Sequence, residues 1–276
     1  MIRPLGRLKM IDGYSLQMVG YFSNTTLPLR IGEVIRGVLL SRRIGASKSA
    51  ALATVVLERS LDFVSLSILI AILGFVYSFP PEIKRAAVIL SVFVLGMVLV
   101  MLIMTFAEGP MISKIRRIIG TVPGGIGDRL IGIIEHFTSG FEVLKSGRRY
   151  PVIIMETIII WLLYAGQELL VLYAFRFHID YPLIAASPIL VAFIILAVNA
   201  VGLSIPSAPG GVGTFHAACI FSLALFGVGV NEAAGFALVI HAASVIFFIS
   251  GGIPFMWREG LRLGELRQLK ENSEAG

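Results

Sequence analysis

The chain has 276 residues, 57% of them hydrophobic and only 14% charged, with 23 Lys and Arg against 17 Asp and Glu for a net charge of +6. Soluble domains carry about 25% charged residues, so a soluble fold with a mean hydropathy of +0.89 would leave its surface coated in Leu, Ile and Val. Composition thus excludes a soluble enzyme, a disordered chain and a disulfide scaffold, and points to an all-α polytopic membrane protein. The basic residues cluster between apolar stretches, as in cytoplasmic loops, and do not mark a nucleic-acid surface. Cys219 sits alone in an apolar run, and the N-terminus, with Arg3, Arg7 and Lys9 followed by Asp12, lacks a signal-peptide layout.

A membrane-crossing helix needs about 20 apolar residues. In chain order, a short apolar helix is expected over 14–22. A long one should begin near Ser49 and run to 79, and another covers 86–107. The stretch 107–150 holds Lys114, Arg116, Arg117, Arg129, Lys145, Arg148 and Arg149, which places it in the cytoplasm. Within it Leu130, Ile133, Ile134, Phe137, Phe141 and Leu144 recur at helical spacing, as in an amphipathic helix lying on the inner leaflet or on the protein's own cytoplasmic face. The span 151–175 is apolar but carries Glu156, Gln167 and Glu168. From 181 to 231 there is no formal charge, only His216, and the run is broken at Pro206 and Pro209. The last span, 233–257, contains His241. The basic tail 258–276 falls inside if 206–228 makes one full crossing. The expected fold is one membrane domain over 1–276 with six to seven membrane helices: a first half, 1–105, the cytoplasmic loop, a second half, 151–257, and the tail.

Two segments break the apolar pattern alike. One is Asn24 to Arg36, with Pro28, Arg30, Gly32 and Glu33 inside it. The other holds Pro206, Pro209, Gly210, Gly211 and Gly213. Each leads through a short apolar stretch to an Ala pair (Ala50 and Ala51; Ala233 and Ala234) that opens a long span, followed by an ionisable residue, Glu58 or His241. This is a weak internal repeat. Irregular backbone at membrane depth is tolerated only when buried in protein or lining a polar cavity, and matched Pro/Gly breaks point to a transporter's substrate site, with re-entrant segments as the expected form. The alternative is a pair of ordinary interfacial turns.

Charge adds to this. Arg30, Glu33 and Arg36 share a helix face. Glu58, Arg59 and Asp62 form a second cluster. Charges at membrane depth must face a cavity or a partner, and Arg recognises phosphate through its planar donor fork. The two clusters should meet. The alternative is a structural ion-pair network near the inner interface. Glu168 reads as a helix–helix contact or an interfacial residue. His216 and His241 are two isolated histidines and make no metal site. No catalytic constellation and no cofactor or metal motif stands out.

The three motifs, Asn24 through Arg36, Glu58-Arg59-Ser-Leu-Asp62, and Pro206 through Gly213, in this order, resemble the transmembrane, flippase-like region of lysylphosphatidylglycerol synthase (the multiple peptide resistance factor) and its stand-alone relatives in prokaryotes. The resemblance covers most of the chain. It implies a protein of the cytoplasmic membrane that moves or accommodates lipids with modified head groups. The expected partner is a membrane lipid, an anionic phospholipid or a lipid-linked sugar, and the alternative is a non-catalytic subunit that presents lipid to a separate transferase. Lipid contact is expected at Asn24, Pro28, Arg30, Gly32, Glu33, Arg36, Glu58, Arg59, Asp62, Pro206, Pro209, Gly210, Gly211 and Gly213. Relatives usually carry further helices before the Asn24 motif, so the start is expected to be truncated or misassigned. The tail is too short for the aminoacyl-transfer domain of full synthases, so transferase activity is not implied.

Overall fold

The computed structural model describes residues 8–106, 150–205 and 207–261. Those residues are helical: α1 (Met10–Thr26), α2 (Gly32–Ile44), α3 (Lys48–Val76), α4 (Pro81–Phe106), α5 (Tyr150–Ala174), the short α6 (Phe177–Asp180) and α7 (Pro182–Ala186), α8 (Pro188–Ser204), α9 (Thr214–Ala224) and α10 (Val230–Arg258). Two 3-10 turns, Pro28–Arg30 and Pro209–Gly211, join α1 to α2 and α8 to α9. Among the described residues three helices, α3, α5 and α10, are long and apolar enough to cross a membrane. Their outer faces keep large apolar side chains exposed, among them Phe75, Leu163, Ile246 and Phe247, as a lipid-facing helix requires. The expected amphipathic helix of the 107–150 loop, most of the basic tail and Pro206 lie outside the described residues.

The expected boundaries shift in a few places. The N-terminal helix is longer than 14–22, because Met10 and Asp12 can open it and Thr25 and Thr26 close it by returning their hydroxyls to the carbonyls of Tyr21 and Phe22. The run 181–231 divides further than the breaks at Pro206 and Pro209 imply. Pro182 and Pro188 each open a new helix, since proline suits the first helical turn.

The described residues fall into two compact units. One contains 8–16, 33–67 and 79–106. In it α2 runs antiparallel to the first half of α3: Gly37 packs on Leu52 and Arg36 reaches Glu58. Arg43, near the end of α2, pairs with Asp12 at 2.9 Å, so the end of α2 lies beside the start of α1.

The other unit contains 17–32, 68–78, 151–205 and 207–261. Its core is built on Ile194, Ile195, Leu172, Leu223 and Phe236, all fully buried. Here α9 folds back along α8: Gly202 packs against Thr214 and Ala218, and Asn199 is within hydrogen-bonding reach of Cys219. The α8–α9 hairpin therefore returns to the side on which it began. That side is also where α10 starts, because Tyr181 hydrogen-bonds Glu232 and Phe177 stacks on Phe236. Helix α10 then carries the chain to the opposite side, whatever depth the hairpin reaches. The C-terminal part of α1 runs antiparallel to α10, with Met18 on Gly251, Phe22 on Gly252 and Tyr21 on Phe248.

Candidate functional site

The two broken segments share one construction. Each opens with a proline at the first position of a 3-10 turn and each needs left-handed backbone: Arg30 at φ 55° in the first, Gly210 and Gly211 at φ 68° and 77° in the second, followed by Gly213 at 91°. Each is followed by a short helix, 13 residues in α2 and 11 in α9. At 1.5 Å per residue these reach about 20 and 16 Å, short of a ~30 Å hydrocarbon core. In the second unit the two turns meet. A Cβ added to Gly210 would stand 3.5 Å from the Thr25 carbonyl oxygen and 3.5 Å from His241 Nε2. His241 lies about 14 Å along α10 from Glu232 at helical rise, so the turns meet roughly halfway along α10.

Gly32 explains how the first segment closes. It packs directly on the Gly20 carbonyl, and a Cβ there would lie 2.6 Å from Asn24 Oδ1. Only glycine allows α2 to start so close to α1. Pro28 and Asn24 thus frame the turn. Arg30 itself is exposed and is held in a conformation that costs a non-glycine residue about 1–2 kcal/mol.

In the first unit the two charged groups come together. The Arg36 guanidinium, 8% exposed, donates two parallel hydrogen bonds to Glu58, at 2.9 and 3.0 Å. Arg59 reaches Glu58 at 2.8 Å, Asp62 at 3.1 Å and Glu33 at 3.7 Å. Two arginines thus hold three carboxylates, with Asp62 the most exposed member. Glu58 lies about 15 Å along α3 from Lys48 and about 27 Å from Val76, which sets the cluster toward one end of the ~30 Å that a hydrocarbon core spans. Salt bridges at such depth offset part of the desolvation each ion suffers, and the fork-to-carboxylate geometry is the strong form of the contact.

Of the sequence-predicted residues, Asn24, Pro28, Arg30, Gly32, Pro209, Gly210, Gly211 and Gly213 thus belong to the second unit. Glu33, Arg36, Glu58, Arg59 and Asp62 belong to the first. Two features escaped the sequence. His216 and His241 are not isolated; their rings lie 4.7 Å apart, centroid to centroid, with Phe215 against His241. They gather no third ligand: among the described residues no group of three or more His, Cys, Asp or Glu could hold a metal. Glu168 does make a helix–helix contact, accepting a hydrogen bond from Asn199 at 3.1 Å. Nothing in the spacing of an uncharged Asn in an apolar run pointed to that partner.

Comparison with known proteins fits these features. The family model for the lysylphosphatidylglycerol synthase TM region matches residues 1–252. The chain belongs to this family. It is therefore a member of a flippase-like, lipid-handling group of integral membrane regions, which are typically non-catalytic modules. No curated protein and no solved structure matches the chain.

Proposed function

We propose that the protein binds and translocates a phospholipid or a polyprenyl-linked glycolipid across the cytoplasmic membrane of a prokaryote. The observation that supports this most is the meeting of the two Pro/Gly turns halfway along α10. Non-helical backbone at that depth needs a protein or polar-cavity environment. The α1–α2 and α8–α9 segments then act as an inverted pair of re-entrant hairpins, a relation that transporters use to alternate access. Arg30, exposed at the first turn, takes the head-group phosphate. Arg36 does the same after exchanging Glu58 for lipid. Glu33, Glu58 and Asp62 hold the arginines in the empty state, and their excess of one carboxylate suits a cationic head group. The whole chain, 1–276, serves as one membrane domain.

Liposome reconstitution tests this. The expected result is movement of fluorescent phospholipid between leaflets by the protein alone, lost in Arg30→Ala and Arg36→Ala and retained in Arg148→Ala, whose basic neighbours can replace it. Movement only after addition of a transferase would favour the lipid-presenting subunit instead. Equal rates in wild type and both arginine variants at equal protein level would rule out the head-group role.

Orientation is tested separately. The Arg42, Arg43 and Lys48 connection and the 107–150 loop carry the positive charge of cytoplasmic segments, and the C-terminal end of α10 belongs with them. In a Cys219→Ala background, Asp180→Cys should react with a membrane-impermeant thiol reagent in intact cells, while Glu259→Cys should react only after permeabilisation. Labelling of both from one side contradicts the hairpin arrangement itself.

A further inference from the structure

We propose that Glu168 and Asn199 form a proton-binding site, in which Glu168 rests as the neutral acid and its deprotonation releases the α8–α9 hairpin from α5. Resting on the lipid-transport reading, this names the proton as the coupling ion.

The argument begins with two atoms. Glu168 is 6% exposed and Asn199 2%. Asn199 Nδ2 donates to Glu168 Oε1 at 3.1 Å. Among the described residues, Glu168 Oε2 and Asn199 Oδ1 are buried without a hydrogen-bond partner. Both are acceptors when the carboxyl is ionised, so neither can satisfy the other. A single proton on Oε2 changes this. The acid O–H can then donate to Oδ1, closing the two-bond ring of a carboxylic acid against a carboxamide. Turning the amide over does not remove the need. Oδ1 would then face Oε1, and Glu168 would again have to supply the donor. Buried polar groups are overwhelmingly paired, and one proton pairs both.

The surroundings agree. No cation acts on Glu168 among the described residues, and its one polar partner is Asn199. Among the described residues, the other titratable group near the pair is the buried Cys219 thiol of α9. An ionised carboxylate here would have no counter-ion, the arrangement membranes penalise most. Loss of the proton to water therefore requires water to reach Glu168. Because Asn199 lies on α8 and Cys219 on α9, that entry separates both arms of the hairpin from α5. The tip of the same hairpin, Gly210, touches the first broken turn at Thr25. A proton at Glu168 and the position of the Pro209–Gly211 turn are thus linked through one rigid arm.

Infrared difference spectroscopy of the full chain in phosphatidylglycerol and phosphatidylethanolamine vesicles tests the site without reference to transport. Glu168→Gln keeps the ring, since an amide N–H replaces the acid O–H, and should fold as the wild type does. At neutral pH the wild type should show a carboxylic-acid C=O band that Glu168→Gln removes and Asn199→Ala shifts. Absence of a Glu168-dependent acid band overturns the proposal. Lipid movement in the same vesicles under an imposed pH gradient tests coupling. The wild-type rate should change several-fold with the gradient, and the Glu168→Gln rate should not respond. A wild type that moves lipid at a rate indifferent to the gradient defeats the coupling. A wild type that moves no lipid at all, yet shows the band, defeats the transport reading and leaves the proton site standing.

Discussion

Two places where this protein sets ionisable side chains within apolar helices meet the same problem in opposite ways. Around Arg59, charges neutralise one another: two arginines and three carboxylates lie within 4.0 Å contacts, and every member keeps some exposure. Around Glu168 no opposite charge stands among the described residues, the carboxyl is buried, and a neutral amide is the partner. A network of ions can stay charged and trade partners, as binding a charged head group demands. A lone acid cannot stay charged without water, so it reports the presence of water or a proton. The difference teaches that burial depth and partner type together decide whether an intramembrane carboxylate recognises or switches.

The largest effect that sharpens this contrast is expected at Arg36. Removing one partner of a buried pair typically costs about 3–5 kcal/mol. Glu58 is 35% exposed and keeps Arg59, so Arg36→Ala should fall at or below the lower end of that range, about 3 kcal/mol or less. Arg36→Ala combined with Glu58→Ala should recover part of the loss, because no unpaired carboxylate remains. The check is a double-mutant cycle of thermal stability in detergent. Additive losses would mean that the network carries no coupling and would remove the contrast with Glu168. Glu168→Gln, by comparison, should cost little in the same assay.

The contrast was half legible in the sequence. Helical spacing placed Glu33 and Arg36 on one face and Glu58 and Asp62 on another, and charge at membrane depth demanded a partner, so the meeting of Arg36 with Glu58 follows from residue types. The same spacing put Arg30 on that face, which the structure corrects: Arg30 ends the 3-10 turn at φ 55°, before α2 begins at Gly32, because Pro28 starts that turn and the left-handed residue breaks the helical register. The Pro and Gly positions likewise announced both turns. The direction of the chain after each turn was not legible, because a 3-10 turn and a kink use the same residues. It took Gly32 on Gly20 and Gly202 on Ala218 to show that both helices fold back. Asn199 was not legible either. It is uncharged, and its significance exists only across the α5–α8 contact. The two histidines, one on α9 and one on α10, are brought together by the same hairpin.

Close packing at the first turn gives the next effect. A methyl at Gly32 would overlap the Gly20 carbonyl, which is backbone and cannot rotate away. Overpacking of this kind costs about 1–3 kcal/mol. Gly32→Ala should therefore lower thermal stability and lipid movement together. At Gly45 a Cβ meets nothing within 4 Å, but its φ of 70° makes Gly45→Ala a test of backbone strain without crowding. Gly96→Ala, with open space and no positive φ, is the control for both. If Gly32→Ala behaves like Gly96→Ala, the α1–α2 hairpin is not packed as described, and the meeting of the two turns loses its first arm.

The smallest effect is the most discriminating, because stability and function should move in opposite directions. Arg30 holds φ 55°, a left-handed conformation that glycine adopts without steric penalty and other residues do not. Arg30→Gly relieves that strain, but glycine also gives the unfolded chain more freedom to lose. The net gain should be about 0.5–1 kcal/mol at most. Arg30→Lys keeps the strain and the charge but loses the guanidinium fork. If the arginine is kept at a strained position to present its fork to a head-group phosphate, Arg30→Gly will be as stable as the wild type or more so and will move lipid poorly. Arg30→Lys will match the wild type in stability and will also move lipid poorly. A purely structural arginine predicts the reverse pattern, with Arg30→Gly destabilised through lost contacts and Arg30→Lys active. Thermal melts and leaflet-exchange rates on the same preparations separate the two, and strain held at a turn is informative only if its relief costs function.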